Sequence, residues 1–295
     1  MSEIKGAKPE KLLRLLALSG GHIREIRHLT ESEGNVYRKA HQHLQDHDEA
    51  VSLIEMVRRN LKSYEECLKQ SSETIPTRGG IGELSRSTKL EINRHFLNFL
   101  ATARQFLDHT ETRLKRQYSE TPEVFQLFRK RTSRAFDNVF AYRFMYKLRN
   151  YSQHCGSPIG HVTHGGYSDE NGDPVFTLHV NFDADALLRS GGDVWGVVKA
   201  DLIKRGPKFS VGNLPNLFLH ELEGIWEAVK KAERPHLLEH ATLVLDTVSE
   251  VNPPYTTPAV ARYWNHKGRS MTIEIINPPV LTMDWLGEHP FREVL

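Results

Sequence analysis

Cysteine is nearly missing from this chain: Cys67 and Cys155 are the 2 cysteines in 295 residues, too few for a disulfide framework or a cysteine zinc site. No uninterrupted apolar run approaches the ~20 residues a membrane-spanning helix needs. The sequence has no charged segment followed by an apolar stretch of the secretion-signal kind. The expectation is a chain with no membrane partner that works in the cytoplasm. A glycine-rich phosphate loop, a nucleophile elbow and a dinucleotide fingerprint are also missing, as are internal repeats and low-complexity tracts. Those absences remove the commonest sequence signals of nucleotide-dependent, serine-hydrolase and solenoid proteins.

Charge, by contrast, is plentiful at 26% of residues, and the net +2 hides an uneven distribution. Between residues 121 and 155 the basic side chains Arg129, Lys130, Arg131, Arg134, Arg143, Lys147 and Arg149 face only Glu123 and Asp137. A local cationic surface of this kind suits an anionic polymer.

Apolar spacing predicts a mainly α protein. A short amphipathic helix is expected over 9–18, stopping at Gly20-Gly21, and a long one over 35–70 with Ala50, Leu53, Ile54, Val57 and Leu61 as its stripe. Pro76 to Gly80 should break the chain before a second long helix over 84–117 that buries Phe96, Leu100, Ala103 and Leu107. Thr121, Pro122 and Glu123 start a third helix, which carries Phe128, Phe136, Phe140, Phe144 and Leu148 to Arg149 as a core row or dimer seam. Beyond Pro158, strands over 159–167 and 175–182 flank Asn171-Gly172, a hairpin signal. Helices follow near 194–204 and 217–251, the second interrupted at Pro235, and a last strand over 271–276 is expected to pair with that hairpin. The reading divides the chain into a helical core, 1–158, and a β-hairpin plus helical portion, 159–295, packed on it.

The densest chemistry lies in Arg149-Asn150-Tyr151-Ser152-Gln153-His154, ahead of a helix stop at Gly156 and Pro158. A guanidinium can hold a phosphate bidentately, and an imidazole can give or take a proton near pH 7. RNA suits the pair because it brings its own 2′-hydroxyl nucleophile. The same spacing recurs at Arg38 and His43, Arg104 and His109, and Arg234 and His240. Only the Arg149 copy combines Asn150, an adjacent Tyr151 and a helix end, where the His is expected to swing back toward the Arg.

Arg149-Asn150-x-x-x-His154, at the end of several long helices, resembles the R-x(4–6)-H signature of the HEPN superfamily over roughly residues 35–158. The resemblance implies an antiparallel helical bundle, here with additional C-terminal helices and a small β-hairpin or sheet. It implies a homodimer that lines one cleft with an Arg and a His from each protomer. Cofactor-free, metal-independent RNA cleavage follows from it, as in toxins or anti-phage effectors with an antitoxin or defence-system partner. On that basis Arg149, His154 and Asn150 are the catalytic candidates, and Tyr151, Lys147 and Arg143 the substrate-binding ones. A non-catalytic dimeric module that binds RNA or protein is the alternative.

Two other constellations compete. His236-Leu237-Leu238-Glu239-His240 matches the H-x-x-E-H pattern of inverted zinc proteases, without that family's surroundings. His41, His43, Asp46, His47 and Asp48 place His43 and His47 one turn apart as metal ligands, or else form a solvated helix face. Asp108 is read as a partner for Arg104 at i, i+4.

Overall fold

A computed structural model describes residues 8–9, 12–73, 86–120, 122–251, 257–265 and 271–287. The expected break at Pro76 to Gly80 and the cap residue Thr121 lie outside them. The elements from the N-terminus are β1 (Lys8–Pro9), β2 (Arg14–Ser19), β3 (His22–His28), α1 (Glu31–Glu73), α2 (Arg86–Gln117), α3 (Glu123–Asn138) and α4 (Phe140–His154). Then come β4 (His161–Ser168), β5 (Pro174–Asp183), α5 (Ala184–Gly191), a 3-10 turn (Gly192–Trp195), α6 (Val198–Lys204) and β6 (Lys208–Ser210). The last are α7 (Leu214–Val248), β7 (Thr257–Asn265), β8 (Met271–Ile275) and α8 (Val280–Leu286). The protein is mainly helical, with two antiparallel sheets. It forms two compact units, 1–49 with 231–295, and 50–230. A division at residue 158 therefore falls inside the second unit.

In the first unit, the described residues of the expected 9–18 helix are not helical: Pro9 ends β1, and 14–18 belong to β2, which pairs with β3 on one side and β7 on the other. Leu15 and Ala17 join one buried cluster, while Leu16 joins another with Ala259, Ala261 and Tyr263. A central strand covered on both faces loses the apolar–polar alternation that marks strands, and its unbroken apolar run reads equally well as a helix. Gly20 and Gly21, with φ of 54° and 81°, form the two-residue loop between Ser19 and His22, a conformation that β-carbons disfavour. The strand near 271–276 pairs with β7 in this sheet, not with the β4–β5 hairpin.

Helix α1 starts four residues earlier than the apolar stripe suggests, because Thr30 and Glu33 form a capping box. Thr30 Oγ1 accepts from Glu33 N at 3.2 Å, and Glu33 Oε2 accepts from Thr30 N at 2.7 Å. The expected solvated face of α1 is also corrected. His47 is buried with Nδ1 3.4 Å from Oε2 of buried Glu233, and its ring stacks on Trp285 at 5.3 Å. One turn earlier His43 stacks on His240 with ring centroids 4.1 Å apart.

Burial above all, with His43, Lys39 and His236 adding to it, pushes the His240 pKa down to about 4. A depressed folded value means that the stability this imidazole contributes is fully present above its unfolded pKa, near 6.5, and is lost as pH falls through about 4. Allowing for partial exposure, the loss should be roughly 2 kcal/mol. His240→Phe keeps a ring against His43 and removes the titration. Its urea-unfolding free energy should fall less than that of wild type between pH 6.5 and 4. Parallel pH profiles for the two proteins would rule this out.

The second unit is built around aromatic side chains. Phe144 packs against Phe182 at 5.0 Å, Phe209 at 5.5 Å and Trp195 at 5.9 Å, and Phe96 reaches Phe182 from α2 at 6.1 Å. These contacts tie the β4–β5–β6 sheet to α2 and α4. The expected third helix is interrupted at Val139, an extended residue with φ −112° and ψ 109° that separates α3 from α4. No Pro or Gly marks this break. The β-branched Val139 tolerates extended backbone, and side chains support the end of α3: Arg143 Nη1 donates to the freed Asp137 O at 3.3 Å, and Asn138 Nδ2 adds a bond to Arg134 O at 2.8 Å. The β4–β5 hairpin forms as expected, with Gly172 at φ 87° in its turn. Helix α5 was missed by periodicity, although its cap Asp183 accepts from Ala186 N at 2.8 Å. α7 stays helical through Pro235.

Candidate functional site

Helix α4 continues through His154 and closes with Cys155 N donating to Tyr151 O at 2.8 Å. The His therefore does not swing back. Five helical residues turn about 500°, so Arg149 and His154 point about 140° apart. Asn150 and His154, at i and i+4, share a face, as do Arg149 and Gln153. His154 is exposed and Asn150 half-buried, and neither makes a hydrogen bond or ion pair to a described residue. Arg149 Nη1 donates to Gln153 Oε1, while its Nε is shielded from solvent and has no acceptor among the described residues.

The segment after the motif is held from α2. Asn93 Nδ2 donates to Ile159 O at 3.2 Å and to Lys89 O at 3.1 Å, and Asn93 Oδ1 accepts from Ile159 N at 3.1 Å. Ile159 is itself buried.

Two of the expected substrate contacts are corrected. Tyr151 is 5% exposed, its ring stacks on Trp195 at 5.3 Å, and its hydroxyl meets Ser190 Oγ at 2.8 Å, so it offers no face to a base. The apolar ring is worth more in the core than in water. Arg143 is held by Asp201, with Nε donating to Oδ2 at 2.7 Å and Nη2 to Oδ1 at 3.1 Å. Those hydrogen bonds keep the Asp201 carboxyl below its ordinary range. Lys147 is half-buried and has no acidic partner among the described residues; its Nζ lies 3.8 Å from where a β-carbon on Gly196 would sit. Among the described residues, the cations of this helix end without a carboxylate partner are thus Lys147 and Arg149.

Sequence reasoning missed what lies beside α4. A β-carbon on Gly191 would come within 2.3 Å of Trp195 Nε1 and 3.0 Å of Tyr151 Cδ2, so this glycine permits a close approach and is more than a turn residue. Only the Gly191-Gly192 pair hinted at it. Gln153 gave no signal, since the motif treats its position as free.

The aromatic row is consumed within the chain. Phe128, Phe144 and Leu148 are buried, Phe136 rests on Tyr146 at 5.9 Å, and Arg205 covers Phe140 at 3.7 Å. It therefore gives no support to a dimer seam. The chance copies also have other roles: Arg104 pairs with Asp108 at 2.8 Å, as expected, and His43 and His240 stack on each other. In the H-x-x-E-H segment Glu239 is exposed, and among the described residues no group of three His, Cys, Asp or Glu side chains is arranged to hold a metal. No helix is long and apolar enough to cross a membrane among the described residues.

No family model, curated protein or solved structure matches the chain. What the site can do rests on its own chemistry. An exposed imidazole, an amide one turn before it and two cations without carboxylate partners among the described residues share the last two turns of a helix whose other side is anchored in the core.

Proposed function

We propose that this chain is a metal-independent endoribonuclease of HEPN type, acting in the cytoplasm as a toxin or anti-phage effector with an antitoxin or defence-system partner. The observation that carries the reading is the exposed His154 at the end of α4, with Asn150 on its face and an Arg149 that no described carboxylate neutralises. His154 takes the proton from the 2′-hydroxyl or gives one to the leaving 5′-oxygen, Arg149 offsets the charge that grows on the phosphate, and Asn150 orients the imidazole. The angle of about 140° between Arg149 and His154 on one helix calls for a second copy of the chain. A homodimer lets the Arg149 of one protomer act with the His154 of the other.

The same angle favours a second reading, a module that binds RNA or protein without cutting, if the chain is monomeric. One experiment separates them. Incubated with single-stranded RNA in excess EDTA, the protein should cut and leave 2′,3′-cyclic phosphate ends or their hydrolysis product. RNA that is retained but intact under all conditions would favour the binding module. Activity abolished by EDTA and restored by zinc would redirect attention to His236, Glu239 and His240.

A further inference from the structure

We infer that Gln153 is a positioning residue for Arg149, an inference that rests on the ribonuclease reading. Arginine has many side-chain rotamers to lose, and a guanidinium stabilises a transition state only if it already points where charge will develop. Gln153 sits one turn after Arg149 on the same helix, and its Oε1 accepts from Arg149 Nη1. The guanidinium is thereby tied at one nitrogen. Its Nε is shielded and has no acceptor among the described residues, so the donors left to meet a phosphate are the second hydrogen of Nη1 and the pair on Nη2. Of these, one Nη1 and one Nη2 hydrogen can lie side by side on the terminal edge of the fork, the geometry that grips two phosphate oxygens.

The neutrality of the partner matters as much as its reach. Arg143, two turns back on α4, shows the alternative: Asp201 fixes it, but cancels its charge. An amide at 153 directs Arg149 and leaves its full positive charge for the substrate. Gln153 is exposed, so its removal should leave the fold intact.

A double-mutant cycle tests this, with single-turnover RNA cleavage, RNA affinity and circular dichroism measured on wild type, Gln153→Ala, Arg149→Ala and the double variant. Gln153→Ala should slow cleavage about 10-fold at saturating RNA, the effect of a single oriented contact, with affinity within about two-fold of wild type. The double variant should be no slower than Arg149→Ala alone, because Gln153 acts only through Arg149. Gln153→Glu should slow cleavage further and weaken RNA binding, since a carboxylate offsets the guanidinium charge. Wild-type rates in Gln153→Ala, or multiplicative losses in the double variant, would overturn the inference while leaving the ribonuclease reading in place. A wild-type protein that leaves RNA intact, or an Arg149→Ala variant that cuts normally, overturns that reading and this inference with it.

Discussion

His154→Ala is expected to slow RNA cleavage by ~10²- to 10⁴-fold, the usual worth of a positioned general acid or base. The side chain is exposed and bonded to no described residue, so circular dichroism and thermal unfolding should match wild type. RNA affinity should hold as well, because Lys147 and Arg149 remain in place. Arg149→Ala differs in kind: it removes a charge as well as a transition-state contact, and both rate and affinity should drop. His109→Ala is the proper control, since His109 is also exposed and ends a chance copy of the same spacing. Rates measured on one RNA for all three variants decide the matter. A folded His154→Ala protein that cuts at the wild-type rate would remove the catalytic assignment and leave the binding module in front.

The second large effect concerns stability. Phe144→Ala should destabilise the protein by about 3–5 kcal/mol, the range for deleting a buried aromatic ring. Phe144 is fully buried, and its ring neighbours are Phe140 one turn earlier on α4, Phe182 of β5, Trp195 of the 3-10 turn and Phe209 of β6. Rigid rings converging from a helix, two strands and a 3-10 turn cannot all relax into the space left, so a cavity should persist. Phe144→Leu, which refills most of the volume, should cost less than half as much. Urea unfolding of the three proteins gives the comparison, and a loss below 1 kcal/mol for the alanine variant would mean that the cluster collapses readily.

Elements whose burial is one-sided were legible in the sequence. Ala50, Leu53, Ile54, Val57 and Leu61 of α1 are all buried at helical spacing, and the β4–β5 hairpin announced itself through Asn171-Gly172. The misreadings share a physical cause. Leu15, Leu16 and Ala17 are buried in succession, which erases the period on which any assignment relies. Val139 breaks a helix for a reason located in the side chains that cap it, and the apolar row runs straight across the break. At the site, the Arg149, Asn150 and His154 spacing was readable, and so was their place at a helix end. The fates of Arg143 and Tyr151 were not, because they depend on Asp201, Ser190 and Trp195, partners dozens of residues away. Local pattern reports which face a side chain occupies. It does not report what waits on that face.

Asn93 narrows the evolutionary freedom of the segment that follows the motif. It meets both backbone polar groups of Ile159 with one side-chain amide, imitating a neighbouring strand where the sheet provides none. A carboxylate there would confront the Ile159 carbonyl, a leucine would leave both Ile159 groups without their partner, and a glutamine would need its extra methylene to fold away. A library randomised at position 93 and selected only for solubility should therefore return asparagine almost alone. A residue beside a candidate site can thus look invariant for reasons that have nothing to do with catalysis.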